Sequence, residues 1–216
     1  MTTPAASANP SPAARIDPRA ARSRELVLDA ALDYFLEHGY LAATVDGVAA
    51  AAGVAKRTVY NLFISKDELF RAVIRRATET AERFVAERVE SAVGTGPVEE
   101  EIAAFAVSHA RAVVAPRVVT TRRLLIGEAQ RFPELAAEYF DRVPNAVIAA
   151  IAARLKRYDA LGLLTVPDAR TAAEHFAYLV LGASLDRALF DADAIDPEGV
   201  ERGARAGAAA FLRAYR

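Results

Sequence analysis

From about residue 24 onward, apolar positions recur three and four residues apart, and no segment alternates as a strand would. Leu26, Ala30 and Tyr34 run beside Val27, Ala31 and Phe35 on one face, and Gly39 follows where a helix ends in the left-handed conformation that glycine tolerates. Thr44 is the expected N-cap of a short second helix that reaches about Ala52. Gly53 then turns the chain into a third helix, Lys56 to Leu62. Ser65 opens a fourth: Ser65 and Glu68 have the spacing of a capping box, and Ile64 and Leu69 stand where a hydrophobic staple closes. This helix runs to about Ser91, where VGTGPVEEE interrupts it, and Glu99–Glu101 suit the positive end of the next one. That helix stops near Pro116. Further helices are predicted over 117–131, 133–163 (with Pro144 as a kink point), 168–190 and 197–215. The fold class is therefore all-α, about nine helices, with a small N-terminal three-helix unit on a larger C-terminal bundle.

Composition changes this picture at the ends and in the exclusions. MTTPAASANPSPAARIDPRA is rich in Pro, Ala and Ser, which makes residues 1–21 a disordered arm ahead of units spanning 22–68 and 69–216. The arm lacks the basic start and apolar centre of a signal peptide. No run of about eighteen uncharged apolar residues exists, so no membrane partner is expected. The absence of cysteine removes disulfides, thiolate metal sites and cysteine nucleophiles, and suits a cytoplasmic protein. No nucleophile motif, glycine-rich phosphate loop or metal-spaced His/Glu set occurs, so neither an enzyme nor a cofactor is expected. The formal net charge of −1 excludes a generally polycationic coat, yet residues 1–76 carry ten Lys/Arg against eight Asp/Glu. The N-terminal third is mildly basic.

Two of the three lysines, Lys56 and Lys66, flank one short helix. A helix-turn-helix needs a small residue where its two helices press together, a turn residue tolerant of positive φ, and apolar residues inside. Ala49, Gly53 and the set Val48, Val54, Val59 and Leu62 meet these needs. The second helix of the pair then presents Lys56, Arg57, Thr58, Tyr60 and Asn61 outward, side chains that reach phosphates and base edges in a major groove. Two packed helices with a solvated polar face would show the same spacing. The run TVDGVAAAAGVAKRTVYNLFISKDELF closely resembles the DNA-binding signature of TetR-type transcriptional repressors, and that resemblance covers residues 24–76. It implies a recognition helix in the major groove of a double-stranded operator. It carries Thr44, Lys56, Tyr60 and Lys66 over as backbone contacts, and Arg57, Thr58 and Asn61 as candidates near base edges. Lys66 occupies the first turn of its helix, an unfavourable place for a cation unless an anion is near, and a DNA phosphate is the expected anion. Ala55 departs from the family, which often has serine there. Arg15, Arg19, Arg22 and Arg24 are either further phosphate contacts or a solvated basic tail.

RRLLIGEAQRFPELAAEYF and HFAYLVLGASLDRALF resemble the AefR-like branch of the same regulators. That resemblance implies an effector pocket and a dimer interface in residues 69–216. Phe105, His109, Arg123, Glu128, His175 and Tyr178 are the pocket candidates, an apolar set with a few polar groups suited to a small hydrophobic effector. A metal at His109, His175 and Glu128 would need a tertiary coincidence, because no local ligand spacing exists. Gly199, Gly203 and Gly207 repeat every four residues beside an apolar ridge, and the preceding helix is apolar nearly all round. Phe176, Val180, Ala183, Gly199, Gly203, Gly207 and Phe211 are therefore assigned to a homodimer interface made by the last two helices. The function expected is a ligand-responsive homodimeric repressor on a palindromic operator. The alternative is a helical small-molecule-binding or adaptor protein that keeps the motif without binding an operator.

Overall fold

The computed structural model describes residues 18–89, 93–191 and 195–216, and every regular element among them is helical. The helices are α1 (Pro18–Ala42), α2 (Val45–Ala51), α3 (Lys56–Leu62), α4 (Lys66–Val89), α5 (Val98–Val113), α6 (Pro116–Gly127), α7 (Pro133–Phe140), α8 (Ala146–Ala160), α9 (Ala169–Phe190) and α10 (Pro197–Tyr215). A π-helical turn, Asp141–Asn145, joins α7 to α8, so the two make one rod where a single kinked helix was expected. Pro144 lies inside that turn; lacking an N–H, it cannot continue the α-helical ladder, and the wider π turn absorbs the missing bond. With that rod counted once, the described residues form nine helical rods.

Helix ends follow local chemistry. Gly39 has φ 72°, which breaks α1 where the sequence places its end. Gly53 has φ 65°, and the bonds Gly53 N–H to Ala50 O (3.1 Å) and Val54 N–H to Ala49 O (3.0 Å) close α2 in a Schellman motif. Thr44 caps α2 through Gly47 N–H at 3.0 Å. Ser65 caps α4, accepting from Glu68 N–H at 3.1 Å, while the Glu68 carboxylate accepts from Ile64 N–H at 2.6 Å. The expected staple does not close: Ile64 is 85% exposed while Leu69 is buried, because the side chain at 64 turns outward. Most of the expected arm, including Arg15, lies outside the described residues. Residues 18–21 belong to α1 instead, whose first residue, Pro18, has the φ a helix start needs.

Two apolar cores result. The N-terminal one joins α1–α4 around Phe35, Tyr40 and Phe70, and it also takes in Phe132, Leu135, Tyr139 and Val143. The Phe132 ring stands 5.2 Å from Tyr40 and 5.0 Å from Phe70, so the segment before α7 is built into the three-helix unit. The larger core joins α5, α8, α9 and α10 around Phe176, Phe211 and Tyr158. No single helix among the described residues is long and apolar enough to cross a membrane.

Candidate functional site

The first candidate region is the outer face of α3. Its only buried residue is Val59, which faces the N-terminal core. Lys56, Arg57, Tyr60 and Asn61 are exposed and Thr58 is half-buried, so the five outward positions share one continuous polar surface. Lys56 Nζ sits 2.8 Å from Asp46 and 5.8 Å from the centre of the Tyr60 ring; the Asp46 hydrogen bond raises its pKa. Ala55 occupies the N-cap and offers no side-chain bond, which leaves the first N–H groups of α3 without a cap from that residue. Arg22 and Arg24 stand exposed on α1 beside this unit, and the Arg24 guanidinium lies 5.5 Å from the Phe63 ring.

Lys66 is half-buried, and its ammonium meets backbone carbonyls. Its Nζ donates to the carbonyl oxygens of Tyr40 (2.8 Å), Leu41 (3.2 Å) and Ala43 (3.0 Å), and rests 4.5 Å from the Tyr40 ring centre. These carbonyls follow the break at Gly39, where the end of α1 concentrates acceptors and negative partial charge. The Tyr40 hydroxyl donates to Asp67 at 2.5 Å, and burial together with that bond pushes its pKa up to about 12. Lys66 thus ties the start of α4 to the end of α1 beneath the outward face of α2 and α3.

The second region is a cavity of about 1790 Å³ between α1, α4, α5, α6, α7, α8 and α9. Leu28, Asp29 and Leu32 of α1 form part of its wall, so the cavity reaches the three-helix unit itself. Phe105, His109 and Tyr178 line it as expected from sequence; His109 is buried and Tyr178, 74% exposed, stands at the rim. Arg123, Glu128 and His175 do not. On α6 the cavity-facing residues are Arg117, Val118, Thr121, Arg122, Leu125 and Ile126, and Arg123 lies outside this set and is exposed. Glu128 lies beyond the end of α6 and pairs with Arg131 at 3.2 Å. His175 points to α10, where Nδ1 meets the Tyr215 hydroxyl at 2.7 Å. Among the described residues, no three His, Asp or Glu side chains gather to hold a metal ion.

Glu101 and Arg154 also line this cavity, and Tyr158 behind it links them. Arg154, 5% exposed, stacks 4.6 Å from the Phe105 ring centre and donates to the Tyr158 hydroxyl at 3.0 Å. Tyr158 donates in turn to Glu101 at 2.8 Å. Burial raises the Glu101 pKa, but the Tyr158 hydroxyl and the N–H groups of Gly94, Gly96 and Thr95 outweigh it and hold the carboxyl at about 2. The sequence signal was an arginine within the apolar run AVIAAIAARL, four residues before Tyr158.

The expected dimer residues divide. Phe176, Val180 and Phe211 are buried inside the subunit, Phe176 stacking on Phe105 at 5.4 Å and meeting Phe211 edge-on at 5.2 Å. A Cβ on Gly207 would run into the backbone at Leu179 and Val180, so this glycine serves close approach of α10 to α9 within one chain. Gly199 lies against the Asp196 carboxylate that caps α10. Ala183 and Gly203 are exposed, together with Leu179 and, at 87%, Phe190.

The model of the AefR-like transcriptional repressor C-terminal domain matches residues 100–216, and that of the tetR family of bacterial regulatory proteins matches residues 27–73. A candidate TetR-family transcriptional regulator from Mesorhizobium loti superposes with a TM-score of 0.82 at 25% identity, over 92% of this chain and 99% of that one. The flavonoid-responsive regulator FrrA superposes with a TM-score of 0.70 at 30% identity, over 91% of this chain and 98% of the other. The uncharacterised helix-turn-helix-type transcriptional regulator YhgD of Bacillus subtilis is 33% identical over 90 residues, 41% of this chain and 46% of that protein's length.

Proposed function

The chain belongs to the TetR family of bacterial transcriptional regulators, with an AefR-like repressor C-terminal domain, and on that premise we propose that it is a ligand-responsive repressor that binds a palindromic operator as a homodimer and is released by a small hydrophobic effector. The observation that carries this reading is the shared wall: Leu28, Asp29 and Leu32 belong both to the DNA-binding unit and to the cavity. An occupant that reaches this wall touches the unit that holds α3. Two sets of surface ion pairs link α1 to the bundle, Arg76 of α4 with Glu25 (3.1 Å) and Asp29 (2.8 Å), and Arg117 of α6 with Asp33 (2.5 Å). A ligand that separates α1 from α4 and α6 shifts the population away from the angle that DNA selects, so effector and operator oppose each other.

On the DNA side, Arg57 and Asn61, with Thr58, are assigned to base edges, and Thr44, Lys56 and Tyr60 to phosphates. Lys66 supports that surface from beneath. The homodimer is assigned to the outward faces of α9 and α10, with Leu179, Ala183 and Phe190 on one helix and Gly203, Ala206 and Ala210 on the other. This replaces the buried residues Phe176, Val180, Gly207 and Phe211. FrrA is named as flavonoid-responsive, and its likeness over nearly the whole chain supports a small-molecule response here.

The test is fluorescence anisotropy with duplexes from the region upstream of its own gene and with random duplexes of equal length. Specific, salt-dependent binding to an upstream duplex supports the reading. Equal, weak binding to every duplex, together with small-molecule binding, would instead identify an adaptor that keeps the motif.

A further inference from the structure

Along the rod formed by α7 and α8, the buried side chains pass from one apolar core to the other. Phe132, Leu135, Tyr139 and Val143 belong to the N-terminal core. Ile151, Leu155 and Tyr158 belong to the larger one, and Val147 and Ile148 pack against it. The border falls at Asp141–Asn145, the π-helical turn. Val143, which is buried, and Pro144 and Asn145, which are half-buried, also line the cavity. The turn is tethered to its neighbours. Arg142 donates to Glu82 of α4 (2.8 and 2.7 Å) and to Glu138 of α7 (2.9 Å), and Glu138 also accepts from Arg75 of α4 (3.0 Å). Asn145 donates to Asp141 (2.8 Å) and accepts from Arg170 of α9 (3.1 Å). Solvent screens ion pairs that are this exposed, so they hold the turn without locking it. π turns inserted between α-helical segments are frequent at functional sites.

We propose that this turn is the joint through which an occupant of the cavity moves the DNA-binding unit. This rests on the effector-cavity reading above and adds the place where the chain bends. Pro144 has no N–H to give to the ladder, so the rod bends here at lower cost than within α7 or α8. An occupant in contact with Val143, Pro144 and Asn145 meets the joint from the cavity side. Ile151, Leu155 and Tyr158, each at most 1% exposed, anchor α8 in the larger core, so the α7 end gives. Phe132 caps α7, with its ring 5.2 Å from Tyr40 and 5.0 Å from Phe70, and a displaced α7 therefore carries the N-terminal core with it. Tyr40 in turn holds Lys66 at the start of α4, next in the chain to α3.

The sequence holds no cysteine, so nitroxide spin labels attach only where cysteines are introduced. Three pairs at exposed positions, read by double electron–electron resonance, test the joint. Glu134→Cys with Lys156→Cys spans the turn. Glu37→Cys with Glu134→Cys joins the DNA-binding unit to α7, and Glu100→Cys with Lys156→Cys lies within the bundle. The full labelled chain is diluted with unlabelled chain, so that only distances within one chain are read. Dodecanol, an uncharged amphipath, is the probe, and calorimetry on each labelled chain measures its binding. Bound dodecanol is expected to shift the distance across the turn by about 2 Å, the scale of a helix shift, and to leave the other two pairs unchanged. In Pro144→Ala the restored N–H stiffens the turn, and the shift shrinks. An unchanged distance across the turn with dodecanol bound, a shift between positions 37 and 134 instead, or a shift undiminished in Pro144→Ala overturns the joint and leaves the cavity reading standing. Failure of dodecanol to bind counts against the cavity reading, and the joint falls with it.

Discussion

Replacing Lys66 separates two accounts of the same residue. If Lys66 ties α1 to α4, Lys66→Ala leaves the carbonyls of Tyr40, Leu41 and Ala43 short of a donor and removes a cation from the Tyr40 ring. A hydrogen bond to a charged group contributes about 1.5–3 kcal/mol, but the site is only half-buried and water can replace part of what is lost. The net cost is therefore set near that of one such bond, about 2 kcal/mol, and not at three times that figure. For a chain of this length, that lowers Tm by about 4–8 °C. Urea unfolding followed by circular dichroism gives the stability, and hydrogen exchange over residues 40–47 locates the loss. The slope of log affinity against log salt on DNA should stay at the parent's value, because no phosphate contact has been removed. Unchanged stability, with a slope smaller in magnitude by about one per subunit, would refute the tie and return Lys66 to the phosphate backbone.

Arg57→Ala and Asn61→Ala are each expected to cost about 1–3 kcal/mol on the correct operator and much less on random DNA, measured by anisotropy at one fixed salt concentration; equal losses on both would reassign them to phosphates. Glu101→Gln should destabilise the protein by about 2 kcal/mol at neutral pH, and the gap from the parent should close as pH falls. The sign follows from a folded pKa of about 2 lying below the ordinary 4.5: the stabilisation is fully present above pH 4.5 and is lost on the way down to about 2, so chemical denaturation at pH 7, 4 and 2.5 checks it. Gly207→Ala should overpack α9 against α10 inside the subunit and cost about 1–3 kcal/mol in urea unfolding. Gly203→Leu, with no atom closer than Ser184 Oγ at 3.9 Å, should leave that stability alone and shift sedimentation towards monomer; an unchanged dimer would remove α10 from the interface.

What the sequence made legible was local. Gly39, Gly53, Thr44, Ser65 and Glu68 act within a few residues of themselves, so their roles as breaks and caps can be read from spacing, and the helix order follows from them. Pro144 marked a disturbance correctly, although the choice of a π turn belongs to the packing around it. The carbonyls that Lys66 meets lie 23–26 residues back in the chain, and only the folded unit brings them to it. Periodicity showed that Phe176, Val180 and Phe211 share apolar faces, but a face carries no label saying whether it meets its own core or a second copy. The cavity candidates divided for the same reason: Phe105 and His109 lie on the inner side of α5, while Arg123 and His175 are one helical step from residues that face inward. Arg154 stood in plain view as a charge in an apolar run, and only burial against Phe105 and Tyr158 gave it a role.

The central claim is that the cavity and the DNA-reading face exclude each other's ligands through α1. The most direct measurement is reciprocal titration: operator affinity by anisotropy across effector concentrations, and effector affinity by calorimetry with and without saturating operator. The account predicts that the ligand weakens operator binding by some factor, about 5–150-fold for an ordinary coupling, and that operator weakens ligand binding by the same factor. A ligand that binds the free and the operator-bound protein with equal affinity would contradict it.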